Sequence, residues 1–295
     1  MIDFIQSIGS GILTGGIYSL LGLCIVLIYK ASGAFNFAIG QFMVIGSYLF
    51  YTMFAAFSLP LPIALPLGLL TAGGMGALIE RITIKPLLGK DPMMMTTVTL
   101  GLYLFLGAFL NFVLNYTGSP GWQPLNLPDI TLDSGDILYL SERIWAGILS
   151  LLTFGVVMVA LFRTRWGLAV RAVSENPAKA MAFGINARFI ILIIWAISAG
   201  CVAVAGIMIS DFGVLSASAA PVGFRALPVV IIGGIDSIGG ALVAGIIGIV
   251  ESLVSAYIEP MGLIGFKDVS TYILMLIVLL IRPNGLFGTA RIERV

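Results

Sequence analysis

RTRWGLAVRAVSENPAKAMAFGINAR, residues 163–188, lies between two long runs that carry no charged side chain, residues 144–162 and 189–210. It contains five of the fifteen Lys and Arg residues in the chain. Each neighbouring run has about the 20 apolar residues that a helix needs to cross a bilayer, and basic residues concentrate in cytoplasmic loops. We therefore predict a cytoplasmic loop, 163–188, that joins two membrane-spanning helices.

A short helix is predicted inside this loop, at residues 177–183. The Asn176 side chain can accept a hydrogen bond from the free N–H groups of a first turn, and Pro177 suits the first helical position. Gly184 is a typical stop signal. Seven residues span roughly 10 Å and are marginal as a helix in water, so another surface has to hold this helix.

The composition of the whole chain indicates an integral membrane protein. Hydrophobic residues make up 59% and charged residues 10% of the sequence, whereas soluble domains carry about 25% charge. Barrel strands would alternate polar and apolar residues over about ten positions, and these runs do not. We predict an all-α, polytopic helical membrane protein with one membrane domain over residues 1–295.

Eight or nine transmembrane segments are expected. Region 225–258 is too long for one span and short for two, and its glycine-rich middle, 233–240, should break any helix. It either crosses twice or re-enters the membrane. The other predicted spans are 10–29, 37–56, 62–80, 93–115, 144–162, 189–210 and 268–282.

The charges of the loops predict the topology. Segment 81–92 and the C-terminal tail are basic like 163–188, so all three should be cytoplasmic. Residues 116–143 carry four acidic residues and one arginine, and we predict an external loop there. Cytoplasmic segments are separated by an even number of crossings, which favours a double crossing of region 225–258. Charge places the N-terminus outside only weakly.

Several classes of chemistry are excluded by what the sequence lacks. It contains no histidine, which removes the common catalytic triads and histidine metal sites. No phosphate-binding GxxxxGK[ST] loop is present, no residue cluster has metal-ligand spacing, and nothing supports nucleic-acid binding. If ATP drives this protein, another chain binds it.

Polar residues inside apolar segments are the candidates for a translocation pathway, because such residues are costly in a membrane. They are Asn36, Gln41, Asp236 and Ser237. The alternatives are hydrogen bonding between helices for Asn36 and Gln41 and turn capping for Asp236. Glu251 is expected to form a hydrogen bond between helices or to lie near an interface.

The short helix is the candidate docking element. Ala178, Met181 and Ala182 share one face and could enter a groove on a partner, with Gly184 closing the helix. Arg171, Glu175 and Lys179 could set its register. The alternative is an interfacial helix lying on the lipid surface.

Five motifs in order along the chain resemble the branched-chain amino-acid ABC transporter permeases. They are Gly167–Val173 with Pro177, Ala180 and 184–186; Phe35–Gly40; Ile231–Ala241; Lys267–Val269; and Arg282–Gly288. The closest likeness is to the shorter permease subunit of the high-affinity leucine, isoleucine and valine system. The chain departs from the family in lacking the histidine and glutamate common around Ala38–Gln41 and in having Asp236 for a glycine.

The resemblance implies a multi-pass subunit of a bacterial-type inner membrane that imports branched-chain or similar apolar amino acids by alternating access. It implies a second homologous permease, two ATPase subunits that bind ATP and Mg, and an external or periplasmic substrate-binding protein. The departures leave urea, short amides or another small solute as alternative substrates. The alternative function is that of a secondary carrier or channel that works without partner subunits. The short docking helix argues against this alternative.

Overall fold

The computed structural model describes residues 2–120, 125, 132–133, 138–139, 141–211, 216–235, 237 and 239–288. Nearly all regular structure in these ranges is helical. The one β-element is an antiparallel pair of two-residue strands, β1 (Leu132–Asp133) and β2 (Leu138–Tyr139). The α-helices are α1 (Ile2–Ser32), α2 (Ile39–Tyr51), α3 (Leu61–Ile79), α4 (Pro92–Thr117), α5 (Ser141–Arg163), α6 (Arg165–Glu175), α7 (Pro177–Ala182), α8 (Ala187–Asp211), α9 (Ala226–Gly233), α10 (Ala244–Tyr257) and α11 (Phe266–Ile281).

Seven helical stretches in the described ranges are long and apolar enough to cross a membrane. They are Phe4–Ser32, Ile39–Ala56, Leu61–Leu87, Pro92–Thr117, Ile144–Arg163, Ala187–Ser210 and Gly239–Met261. The apolar stretch Ala217–Gly233 and the 16-residue α11 are shorter. The prediction of an all-α, polytopic membrane protein is confirmed, and most of the predicted external loop, 116–143, lies outside the described residues.

The glycine-rich run breaks the helix, as the sequence predicts. A 3-10 segment, Ala217–Arg225, leads into α9, which ends at Gly233, and helical structure resumes at Gly239. Gly234 has φ +98°, a conformation that favours glycine. Eight residues of α9 rise about 12 Å, well under the hydrocarbon thickness of a bilayer. The double crossing of this region stays a prediction.

The C-terminal segment Arg282–Gly288 completes the end of α9. The backbone N–H of Leu286 donates to Ile232 O at 2.7 Å, and that of Phe287 donates to Gly233 O at 3.2 Å. The last carbonyls of a helix have no partner within the helix. The segment supplies partners for two of those carbonyls, which holds it against the end of α9.

The chain divides into two compact units. Unit 1 contains Met1–Val26, Leu127–Leu151 and Phe224–Val295, and unit 2 contains Leu27–Asn126 and Leu152–Gly223. In unit 1, Gly11 and Gly15 of α1 lie against α10, where a Cβ on Gly15 would be 2.7 Å from the Cα of Gly245. Small residues at this spacing let membrane helices approach at backbone distance.

Unit 2 is built around α2, α3 and α8, which pack on one another. Trp195 of α8 is fully buried, and its ring lies 6.0 Å from that of Phe42, edge to face. A Cβ on Gly76 would be 2.5 Å from the Ala199 side chain, so α3 and α8 also meet at backbone distance. The loop that contains α6 and α7 is joined at its C-terminal end to α8, which belongs to this closely packed group.

Candidate functional site

The predicted cytoplasmic loop contains α7, in the position that the sequence indicates. Asn176 precedes it, and its Oδ1 accepts a hydrogen bond from the Lys179 N–H at 3.0 Å. Pro177 is the first helical residue, and Gly184 follows the helix with φ +82°. The cap, the proline and the glycine stop are confirmed. The helix ends at Ala182, one residue before the predicted end.

Most of α7 is exposed within its unit. Ala180 is buried and anchors the helix, whereas Pro177, Ala178, Lys179 and Ala182 are exposed. Met181 is 52% exposed, and the following Phe183 is 87% exposed. An exposed apolar surface on a short helix is typical of a contact with another protein or with the membrane surface, and the docking role itself stays a prediction.

Helix α6, which precedes α7 directly, was not predicted. Thr164 caps it by accepting from the Gly167 N–H at 3.0 Å. Gly167, Val170 and Val173 form its buried face. A Cβ on Gly167 would overlap the Leu161 carbonyl oxygen, so the glycine permits the sharp turn out of α5. The signal was available in the threonine cap and in the spacing of three residues between the buried positions.

Two of the predicted register residues have different surroundings. The guanidinium of Arg171 lies over the ring of Phe162, 5.2 Å from its centroid. A cation in this position stabilises the turn between α5 and α6. Glu175 is exposed at the end of α6. Arg171 therefore contacts the end of α5, while Glu175 and Lys179 are exposed on the surface of the loop.

Asn36 lies in the non-helical stretch between α1 and α2. It is fully buried, and its Oδ1 accepts from the Ala38 N–H at 2.9 Å. Its Nδ2 has no hydrogen-bond partner among the described residues. Asn36 thus shapes the start of α2 and still has a free donor, a combination compatible with the predicted pathway role.

Thr96 and Thr99 of α4 support this stretch, and the sequence analysis did not single them out. The Phe35 N–H donates to Thr96 Oγ1 at 3.3 Å, and the Phe37 N–H donates to Thr99 Oγ1 at 3.2 Å. Thr99 in turn donates to Phe35 O at 2.8 Å. Non-helical backbone at membrane depth needs such partners.

Gln41 lies in the first turn of α2 and is buried. Its Oε1 has no partner among the described residues. Gly107 of α4 leaves room for its amide, since a Cβ there would be 2.7 Å from Gln41 Nε2. The neighbouring Gly40 lies against Ala220, whose carbonyl oxygen a side chain would overlap. Asn36 and Gln41 therefore share one segment of unit 2.

Ser237 belongs to the glycine break of unit 1. Its Oγ accepts from the Gly240 N–H at 3.1 Å, and its own N–H donates to Gly234 O at 2.9 Å. These bonds make it a turn-forming residue. Asp236 lies outside the described residues, so its predicted roles stay predictions.

Unit 1 contains a network of polar side chains, of which only the role of Glu251 was predicted. The expected interhelical role of Glu251 is confirmed: Tyr18 of α1 donates to one of its oxygens at 2.7 Å, and Thr271 of α11 donates to the other at 2.6 Å. Arg225 donates to the Tyr18 hydroxyl at 3.4 Å and pairs with Asp268 at 2.6 Å. The partners come from distant parts of the chain, so spacing along the sequence gives no sign of them.

Comparison with known proteins agrees with this architecture. A family profile described as branched-chain amino acid transport system / permease component matches residues 7–281. The high-affinity branched-chain amino acid transport system permease protein LivH of Escherichia coli K12 is 29% identical over 316 residues, covering 99% of this chain and 98% of that protein.

The chain is also similar to an archaeal permease and to a sugar permease. A probable branched-chain amino acid transport permease protein LivH of Methanocaldococcus jannaschii is 30% identical over 282 residues, covering 91% of this chain and 88% of that protein. The galactofuranose transporter permease protein YtfT of E. coli K12 is 27% identical over 245 residues, covering 81% of this chain and 65% of that protein. No solved structure matches the chain.

Proposed function

The chain belongs to the family of branched-chain amino acid transport permeases, and on that premise we propose that it imports branched-chain or similar apolar amino acids across the inner membrane. It does so as one subunit of an ATP-binding-cassette transporter. The observation that carries the proposal is the relationship to LivH over 99% of this chain and 98% of that protein.

ATP is bound and hydrolysed, with Mg, on two separate ATPase subunits. The absence of a GxxxxGK[ST] sequence in this chain supports this division of labour. The exposed Met181 of α7 and the exposed Phe183 that follows the helix support a docking site for one ATPase. The other partners are a second homologous permease and an external substrate-binding protein. Alternating access then follows from ATP binding and hydrolysis, which bias the conformations of the permease pair.

A sugar or another small solute is the second candidate substrate. The relationship to a galactofuranose transporter permease over 81% of this chain supports it. Urea and short amides belong to the same set of alternatives. The fuller coverage of both chains in the alignment with LivH favours amino acids.

Purification of the chain from native membranes tests the proposed assembly. A mild detergent and an affinity tag on this chain should recover a second permease and an ATPase at twice its molar amount, identified by mass spectrometry. A vanadate-sensitive ATPase activity should accompany the complex. Recovery of this chain alone or as a homo-oligomer, from membranes that import leucine, would contradict the proposed assembly.

A further inference from the structure

An ion pair lies at the edge of the polar network of unit 1. Arg225 Nη2 is 2.6 Å from Asp268 Oδ1, and the two side chains are 28% and 49% exposed. Arg225 Nη1 donates to the hydroxyl of Tyr18 at 3.4 Å. A guanidinium has five N–H donors, and two of its nitrogens have partners among the described residues. The pair therefore has both signs of charge and spare hydrogen-bonding capacity on its open side.

The two helices that begin beside this pair, α9 and α11, are largely apolar. Helix α9, which follows Arg225, consists of ALPVVIIG and has no polar side chain. On α11 the residues one turn beyond Asp268 are Thr271 and Tyr272, and the exposed Val269, Ile273 and Leu276 lie on an adjacent face. Charged groups facing lipid hydrocarbon are strongly disfavoured, and in membrane proteins they face water-filled cavities or partners. The open side of the pair should therefore meet water or a polar ligand.

Hydrogen bonds to buried residues hold Arg225 in position. Tyr18 receives a hydrogen bond from Arg225 and donates one to Glu251, which also accepts from Thr271. Tyr18 and Glu251 are almost completely buried. The guanidinium is thus fixed by a chain of hydrogen bonds to α1, α10 and α11. A group prepared in this way loses little conformational freedom when it binds a ligand.

We propose that Arg225 and Asp268 bind the zwitterionic head of the transported amino acid. The guanidinium receives the α-carboxylate, a pairing that suits its forked geometry. The Asp268 carboxylate receives the α-ammonium group. The exposed apolar side chains of α11 suit an aliphatic substrate side chain, whereas those of α9 are mostly buried within unit 1. This assignment rests on the proposed function, because urea and sugars have no such pair of charges. Tyr18 and Glu251 act as positioning residues.

Photolabelling tests the location of the site. The probe is a leucine analogue that keeps both charged groups and has a diazirine in its side chain. The complete transporter, with its permease partner, ATPases and binding protein, is illuminated in nanodiscs and digested for mass spectrometry. We expect label in residues 266–281, suppressed by excess leucine. Label confined to other segments would overturn the assignment.

Substitutions test the contribution of each charge. Asp268→Asn should lower leucine import and labelling about tenfold or more, as expected for the loss of one charged contact. Stimulation of ATP hydrolysis by the loaded binding protein should stay within about twofold. Arg225→Lys keeps the charge but not the fork, and a smaller, severalfold loss is expected. Lys267→Gln removes the neighbouring charge and leaves the pair intact, so import should be unchanged.

The outcomes separate the site from the function. Normal leucine import by Asp268→Asn would overturn the site and leave the proposed function standing. Parallel loss of import and ATPase stimulation in both variants would show that the pair is structural. If the unmodified transporter imports no amino acid, the proposed function fails, and the assignment fails with it.

Discussion

Glu251 illustrates how a single polar side chain joins three helices of unit 1. It is 6% exposed, and each of its carboxyl oxygens accepts a hydroxyl, one from Tyr18 and one from Thr271. A buried hydroxyl without an acceptor costs free energy that a solvated one does not. The glutamate thus connects α10 to α1 and to α11.

Replacement of Glu251 by alanine should destabilise the protein. Two buried hydroxyls lose their acceptor, and we expect the free energy of unfolding to fall by about 1–3 kcal/mol. Thermal denaturation of the purified chain in detergent measures this as a lower Tm. Glu251→Gln keeps one acceptor oxygen and should lose less. Equal Tm values for Glu251→Ala and the unmodified chain would show that the network contributes nothing to stability.

Residue-level prediction succeeded where the relevant partners are close in sequence. Asn176, Pro177 and Gly184 act within one turn of α7, and their roles were predicted correctly. The network of Tyr18, Arg225 and Glu251 depends on residues more than 200 positions apart. Patterns of sequence periodicity and spacing do not show which residues so far apart in the chain are in contact. Only the interhelical role of Glu251 was therefore predicted.

At the scale of elements, α7 is the part of the loop that a partner can reach. Met181→Glu places a charge on its exposed apolar face without touching the buried Ala180. We expect leucine import by the complete transporter to fall at least about tenfold, since a charge buried in an apolar contact is poorly tolerated. Binding-protein affinity should be unchanged.

Met181→Leu is the matched control, because it keeps an apolar side chain of similar volume. It should import leucine at a rate close to that of the unmodified transporter. Chemical cross-linking between a cysteine at Lys179 and the ATPase should be lost in the Met181→Glu background. Unchanged import by Met181→Glu would rule out α7 as the docking element.

The break after α9 depends on its glycines to different degrees. A Cβ on Gly234 would be 2.5 Å from the backbone of Gly288, and its φ of +98° disfavours any other residue. Gly239 is exposed, and among the described residues a Cβ there would meet only the Ser237 hydroxyl, at 3.8 Å. Replacing each glycine by alanine therefore shows whether stability depends on close packing at Gly234 or on the loss of any glycine in this region.

Gly234→Ala should lower the free energy of unfolding by about 2 kcal/mol or more, from backbone strain and the displaced C-terminal segment. Gly239→Ala should change it by less than about 0.5 kcal/mol. Thermal denaturation of both variants in detergent gives the comparison. A Tm for Gly234→Ala no lower than that for Gly239→Ala would mean that the segment Arg282–Gly288 does not pack there.

Elements were predictable to the extent that they are long and apolar. The spans 93–115 and 189–210 match α4 and α8 closely. The helix α6 was missed although its threonine cap and its buried positions at intervals of three residues are visible in the sequence, because Arg165, Arg171 and Glu175 make the segment polar overall. The support of the Gly33–Ala38 stretch by Thr96 and Thr99 was missed because it depends on a neighbouring helix, not on local sequence.

For the molecule as a whole, the composition alone established a polytopic helical membrane protein. The charge distribution gave a topology, and the order of five motifs gave the family. The division into two units of interleaved chain segments was not predictable, because each unit combines segments that lie far apart in sequence. The proposed substrate is inferred from the related permeases, and Arg225 and Asp268 are the residues proposed to bind it.

Uptake of labelled leucine into proteoliposomes tests the central claim most directly. The vesicles contain this chain, its permease partner and the ATPases, with the binding protein outside and ATP inside. We predict leucine accumulation that requires both ATP and the binding protein and that is unaffected by collapse of ion gradients. Leucine uptake by this chain alone, driven by an ion gradient without ATP, would contradict the account.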